Sequence, residues 1–502
     1  MKVLMVSSEA MPFAKTGGLA DVVSSLSSSL AELGLDVKII LPRYYSVDRS
    51  KLELLSGALG VPMGFGEEWC AVYNTALPGK KNKPPVEVYF IEHEKYFGRD
   101  GIYGSAEEMD FHDNPSRYSF FCRSAFQLCR KIGWFPDIIH AHDWPASMAT
   151  VYLKFLERFN SDFKNTGSLL TIHNLGYQGI YGKNNFDYTG LGWDVFYNAG
   201  FEDWNMLNFL KAGLYSADKL NTVSPNYAEE TKTQEHGFRL DGVLRIRSDD
   251  YCGILNGIYT DIWNPKKDKL IPKKYSINDM SGKLEAKKAL QKHFNLPEDP
   301  DIPVIGMVTR LSEQKGVGEL FGPSYGSIWN ICTEMKLQLV LLGSGEAWCE
   351  QEIKSLSSRL PNFKVQISYS EEISHLIVAG SDFFLMPSQY EPCGLSQMYS
   401  LVYGTLPIVR KTGGLIDTVV NYDENKGTGT GFMFEHLTPQ AIKDTVGWAV
   451  WAWYNKQEQI RDMRLRAMKQ DFSWEISAKK YAALYEQIKT EQTGAERIRT
   501  AE

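Results

Sequence analysis

Lys15-Thr-Gly-Gly-Leu-Ala-Asp21 recurs almost unchanged as Lys411-Thr-Gly-Gly-Leu-Ile-Asp417, near the opposite end of the chain. Each copy follows an apolar run, Val3 to Val6 before the first and Pro407 to Val409 before the second, and each leads into a segment that can be helical. A strand, a Gly-Gly turn and a helix start present bare backbone N–H groups and the positive end of a dipole, which together seat a phosphate. Glycine admits a ligand close to the main chain, and lysine adds a mobile cation. Taken singly, either copy reads equally well as an ordinary left-handed turn between strand and helix. Taken together, two copies in separate halves predict two nucleotide-fold lobes facing one cleft.

The rest of the chain fits that reading. Short β-branched runs alternate with longer helical patterns, with strands expected at 2–7, 37–41, 86–91, 137–140, 169–173 and 220–223, then at 304–309, 337–342, 383–386 and 407–409. Continuous apolar strands, each followed by a helix, imply an α/β class with parallel sheets covered on both faces. The helix after the first Gly-Gly pair is expected over 20–33, with Val22, Val23, Leu26, Leu30 and Leu33 on its apolar face and Gly34 ending it. A cluster of glycine, proline and polar residues at 256–268 marks the break between lobes. The domains are then 1–255, 256–474 and a final helix with a polar tail over 475–502. That tail is expected to fray after about Tyr485. Residues 42–120 have a less regular rhythm, as a strand-loop insertion over a cleft would.

A length of 502 residues suits two to three domains, and 43% hydrophobic with 13% aromatic content supports large cores. A net charge of −7 and a pI near 5.8 argue against nucleic acid or an anionic membrane as a general partner. An anionic substrate must therefore be held by local cations. No apolar run reaches about 18 residues, and the start lacks the apolar stretch of a signal peptide. Seven cysteines without a CxxC pair suit a reducing cytoplasm and argue against a disulfide framework or thiolate zinc site.

Several motifs at expected strand ends carry chemistry. Arg310 and Lys315, five residues apart, combine a guanidinium fork with a point charge, suited to a diphosphate leaving group. As a bare motif, two solvated surface cations remain the alternative. Glu391 leaves a buried strand and enters Pro-Cys393-Gly394-Leu395-Ser396, a turn that should start a helix. Its carboxylate either accepts hydrogen bonds from sugar hydroxyls or caps its own helix. His140-Ala-His142-Asp143 resembles a metal cluster, but no third ligand is indicated, and a polar cleft edge is the expectation. His173 also ends a strand, where a satisfied core histidine is the alternative. The dinucleotide fingerprint is absent: Leu342-Gly343-Ser-Gly345 lacks the third glycine. Asp299-Pro-Asp301, flanked by prolines, reads as a loop and not as a metal-dependent nucleotide site.

These motifs in this order resemble the bacterial glycogen synthases and related starch synthases, retaining glucosyltransferases of the two-lobed GT-B fold. The resemblance runs from about Met1 to Tyr485 through KTGGLADV (15–22), HAHDW (140–144), TIHNLGYQG (171–179), LNGIYTDIWNP (255–265), TRLSEQKG (309–316), PSQYEPCGLSQ (387–397) and YGTLPIVRKTGGLIDTV (403–419). It implies transfer of glucose from a nucleotide sugar, usually ADP-glucose in bacteria, to the non-reducing end of an α-1,4-glucan. No cofactor or metal is implied. By the same resemblance Lys15, Gly17 and Gly18 should meet the diphosphate, as should Arg310, Lys315 and the N–H groups of Leu395 and Ser396. Glu391 with the backbone of Cys393 and Gly394 should hold the glucosyl hydroxyls. Asp21, Asp143, His173 and Asn256 should line the donor and acceptor side, and Tyr369 should stack on the base. Related retaining families carry another glutamate eight residues beyond Glu391, where this chain has Tyr399. A front-face transfer is therefore expected, with the departing diphosphate taking the acceptor proton.

The chain departs from the family's usual pattern at Pro145, Tyr259, Gly318, Gln389 and Tyr390, none of which removes a named charge. Three other functions compete. A weakly catalytic glucan-binding protein would have lost Lys15, Arg310, Lys315 or Glu391; a nicotinamide oxidoreductase would carry the missing fingerprint; a pyridoxal phosphate phosphorylase would absorb at its cofactor band.

Overall fold

The computed structural model describes residues 1–78, 83–105 and 107–499. The chain forms two compact units, Met1–Gly257 with Trp474–Glu502, and Ile258–Ser473.

In the first unit the apolar runs pair as a parallel sheet. Strand Lys2–Val6 lies at its centre between Asp36–Pro42 and Ile138–His142. Glu87–Glu92 continues one side, while Gly167–Ile172, Lys219–Thr222 and Tyr251–Gly253 continue the other. Because the second and fourth of the parallel strands in chain order flank the first, the topology reverses there, and such a switch point opens a ligand crevice. Beyond Glu87–Glu92 the sheet turns antiparallel: Gly66–Ala76 pairs with it and with Leu59–Met63 and Glu53–Leu54. This is the irregular segment of the sequence.

Helix Gly18–Glu32 begins directly at the Gly-Gly turn and buries Val22, Val23, Leu26 and Leu30. These pack in one core with Trp474, Ala478, Tyr481, Tyr485 and Ile488 from the final helix, Trp474–Arg499. The expected fraying after Tyr485 does not occur: Ile488 is fully buried and Lys489 pairs with Asp137 at 3.0 Å. Residues 500–502 of the expected tail lie outside the described residues.

The second unit is built the same way. Val304–Val308 sits between Gln338–Gly343 and Phe383–Met386, with Phe363–Ile367 on one flank and Leu406–Arg410 then Phe432–Phe434 on the other, all parallel. Its switch point lies between the strands that lead into Arg310 and into Glu391. Among the parallel strands, the sequence reading missed Tyr251–Gly253, Phe363–Ile367 and Phe432–Phe434, which lie at the sheet ends, and it also missed the small antiparallel sheet of Ile180–Gly182, Glu202–Asp203 and Met206–Asn208. End strands are covered less completely, and in Phe363–Ile367 only Phe363 is fully buried, which blurs the apolar run.

Candidate active site

In the first unit Lys15, Gly17, Gly18 and Asp21 occupy one exposed loop and helix start at the switch point. The Lys15 ammonium reaches the Asp21 carboxylate at 2.8 Å. The helix opens at Gly17 without a side-chain cap. The loop's N–H groups are less bare than the sequence implied, because Glu9 sits beneath them. Its carboxylate accepts the N–H groups of Thr16 and Gly17, the latter at 3.2 Å, and the hydroxyls of Thr16 and Tyr103, both at 2.7 Å. Sequence reasoning missed Glu9; its one signal is a carboxylate just after a strand that is buried from Val3 to Val6.

At the adjacent strand end Asp143 adopts φ +56°, a strained value for a residue with a side chain. The turn places its carboxylate to accept the His173 N–H at 2.7 Å and the Asn174 N–H at 3.4 Å. Burial pushes its pKa up to about 7 against the pull of those donors. Burial also depresses His173 to about 3, so its imidazole is neutral. His140 and His142 do not form a polar cleft edge; both are fully buried. His140 is hydrogen-bonded to Tyr485 at 2.8 Å and to Thr171 at 2.6 Å, leaving neither nitrogen for a metal. His142 bonds His173 at 3.0 Å and so helps orient it. Asn256 is buried, and its side-chain oxygen has no hydrogen-bond partner among the described residues.

In the second unit the Lys315 ammonium lies 2.6 Å from the Glu391 carboxylate, which also accepts the Ser388 hydroxyl at 3.0 Å. Glu391 is only 7% exposed and does not cap its own helix: Ser396–Val402 begins at Leu395 without a side-chain cap. Two loops meet to make this pair. Gln314 accepts from the Gln389 N–H at 2.8 Å and donates to the Tyr390 carbonyl at 3.3 Å. Gly316, at φ +69°, lies so close to Pro387 that a Cβ would fall 1.9 Å from its carbonyl oxygen. Arg310 is exposed and touches Gln314 at 3.4 Å. Gln397 fixes the turn by donating to the Cys393 and Gly394 carbonyls. Tyr369 stands apart, 81% exposed after strand Phe363–Ile367.

The second Gly-Gly turn does not offer a bare phosphate seat. A Cβ on Gly413 would lie 1.9 Å from the Glu391 carbonyl oxygen, one on Gly414 2.2 Å from that of Cys393, and the Gly414 N–H donates to Glu391 at 3.0 Å. Lys411 pairs with Glu435 at the surface. Here the repeat supports the main chain that carries Glu391. At the position of the second glutamate of related families, the Tyr399 ring lies flat on Trp263, with centroids 3.9 Å apart.

Residues 2–246 match the starch synthase catalytic domain, and residues 288–463 match glycosyl transferases group 1. The chain is 58% identical to the glycogen synthase of Treponema denticola, covering 97% of this chain and 98% of that protein. It is 45% identical to glycogen synthase 1 of Geobacter sulfurreducens, covering 97% and 96%. Among solved structures it superposes on the catalytic domain of starch synthase IV from Arabidopsis thaliana bound to ADP and acarbose with a TM-score of 0.87, at 31% identity over 97% and 99% of the two chains. Sucrose-phosphate synthase from Thermosynechococcus elongatus shares the fold, at 17% identity and a TM-score of 0.59 over 97% and 98%. With two doubly wound units, a Lys315–Glu391 pair at one switch point, and family matches across both units, the chain belongs to the glycogen and starch synthase family of GT-B glycosyltransferases.

Proposed function

We propose that the protein transfers glucose from ADP-glucose to the non-reducing end of an α-1,4-glucan, with retention of configuration and release of ADP. The Lys315–Glu391 pair carries this reading. A nearly buried carboxylate held by an ammonium is fixed in place, fit to accept sugar hydroxyls, while the ammonium faces charge developing on a diphosphate. Arg310 and the N–H groups of Leu395 and Ser396 serve the same diphosphate, and the backbone of Cys393 and Gly394 serves the glucosyl unit. In the first unit Lys15 with Gly17 and Gly18 serves phosphate, and Asp21, Asp143, His173 and Asn256 serve the sugars. Tyr369, exposed and stacked on no ring among the described residues, is free to take the base. Tyr399 supplies no carboxylate, which favours front-face attack with proton transfer to the departing phosphate oxygen over a double-displacement route. Seven free cysteines support a reducing, cytoplasmic setting.

The test is nucleoside diphosphate release with ADP-glucose and UDP-glucose, each with and without glycogen. The expected result is glycogen-dependent ADP release with glucan lengthening, reduced at least about 100-fold in Lys315→Ala and Glu391→Ala. Preference for UDP-glucose overturns the donor. Near-native rates in either variant remove that residue from the active site.

A further inference from the structure

The loop proposed to seat the diphosphate contains its own anion. Glu9 is 2% exposed, between strand Lys2–Val6 and helix Gly18–Glu32. One carboxylate oxygen accepts the Thr16 and Gly17 N–H groups, and the other accepts the Thr16 and Tyr103 hydroxyls. Tyr103 is itself hydrogen-bonded to Ser8 at 2.8 Å. Lys15, Thr16 and Tyr103 line one hollow of about 700 Å³. The carboxylate thus occupies two backbone donors that an arriving phosphate would otherwise engage, and places negative charge beneath its seat.

We propose that Glu9 is a positioning residue that sets the anion affinity of this loop. It holds the Thr16–Gly17 backbone in shape while weakening the grip on the diphosphate, so that the product leaves after transfer. The proposal rests on the reading of the Lys15 loop as a diphosphate seat. A turn this rich in donors, with a lysine and a helix start, binds a dianion strongly if left bare. A buried counter-charge offsets part of that attraction, little screened by solvent.

Glu9→Gln separates charge from shape. The amide oxygen can keep the two backbone N–H groups, while the amide nitrogen faces the two hydroxyls, which rotate to accept. ADP binding is measured by calorimetry on the full-length protein, with ADP product inhibition and the kcat and KM for ADP-glucose followed alongside. Glu9→Gln is expected to bind ADP about five- to ten-fold more tightly, with a lower KM and a lower kcat. Tyr103→Phe removes one donor and leaves the carboxylate less neutralised; it should bind ADP about two- to three-fold more weakly, and it carries the test alone if Glu9→Gln does not fold. Lys15→Ala is the control. If it loses ADP affinity while Glu9→Gln and Tyr103→Phe match the native protein, the proposal fails and the seat stands. If Lys15→Ala binds ADP normally, the seat itself is wrong and the proposal falls with it.

Discussion

Asp143 and the imidazoles beside it respond to protons with opposite sign. Burial raises Asp143 to about 7, so the folded chain keeps a proton that the unfolded carboxyl releases above about pH 4. That contribution to stability is complete at low pH and is lost as pH rises through about 7. His173, depressed to about 3, acts the other way, and His140 and His142 shift in the same direction through burial. Below about pH 6.5 the unfolded chain takes up protons that these folded imidazoles refuse, so their contribution is lost as pH falls. Asp143→Asn removes the opposing proton. Its stability should rise more steeply with pH than that of the native protein, by up to about 1.4 kcal/mol per pH unit between about pH 4 and 7. Urea unfolding of the two proteins at about pH 5, 6 and 7 measures this, and parallel profiles would reject the assignment.

At the scale of elements, the second Gly-Gly turn works as a support. Gly413 combines φ +48° with the close approach to Glu391, so alanine there has neither the backbone freedom nor the room. Gly413→Ala is expected to cost about 2–4 kcal/mol and to displace the segment from Glu391 to Cys393. Activity should then fall more than stability explains, read as lost turnover at a temperature where the variant is still folded. Full turnover in folded Gly413→Ala would deny the turn this role. The repeat that made the fold legible therefore misleads about its own chemistry. Its strand-turn-helix rhythm announced both doubly wound units, because that rhythm is local to the sequence. Whether the glycines face a ligand or another loop depends on what folds against them, which no local pattern records. Glu9 was hidden for the same reason: its partner Tyr103 lies in a separate loop. Lys315 and Glu391 were readable as strand-end charges, but their pairing came only with the docking of Gln314 against Gln389 and Tyr390.

At the scale of the whole molecule, the division of the chain is uneven in what each unit needs. The second unit, Ile258–Ser473, is continuous and encloses its own cores, around Leu339 and Ile408 and around Leu290 and Phe384. The first is discontinuous: Trp474, Tyr481, Tyr485 and Ile488 complete a core that also contains Val3, Val23 and Leu26. Buried polar groups depend on the same helix, since Tyr485 holds His140 and Tyr481 accepts from Asn221 at 3.0 Å. Each large apolar side chain of that helix contributes about 2 kcal/mol through burial, so losing four removes a sum comparable to the whole stability of a typical domain. A fragment of residues 258–473 is expected to unfold cooperatively alone. A fragment of residues 1–257 should aggregate or melt without cooperativity, and adding a peptide of residues 474–499 should restore a sharp transition. Circular dichroism melts of the fragments, with and without the peptide, decide this. A cooperative melt of 1–257 alone would mean that the final helix covers a core already complete, and that Tyr485 is not needed to hold His140 and, through the ring of His142 that lies on it, the orientation of His173.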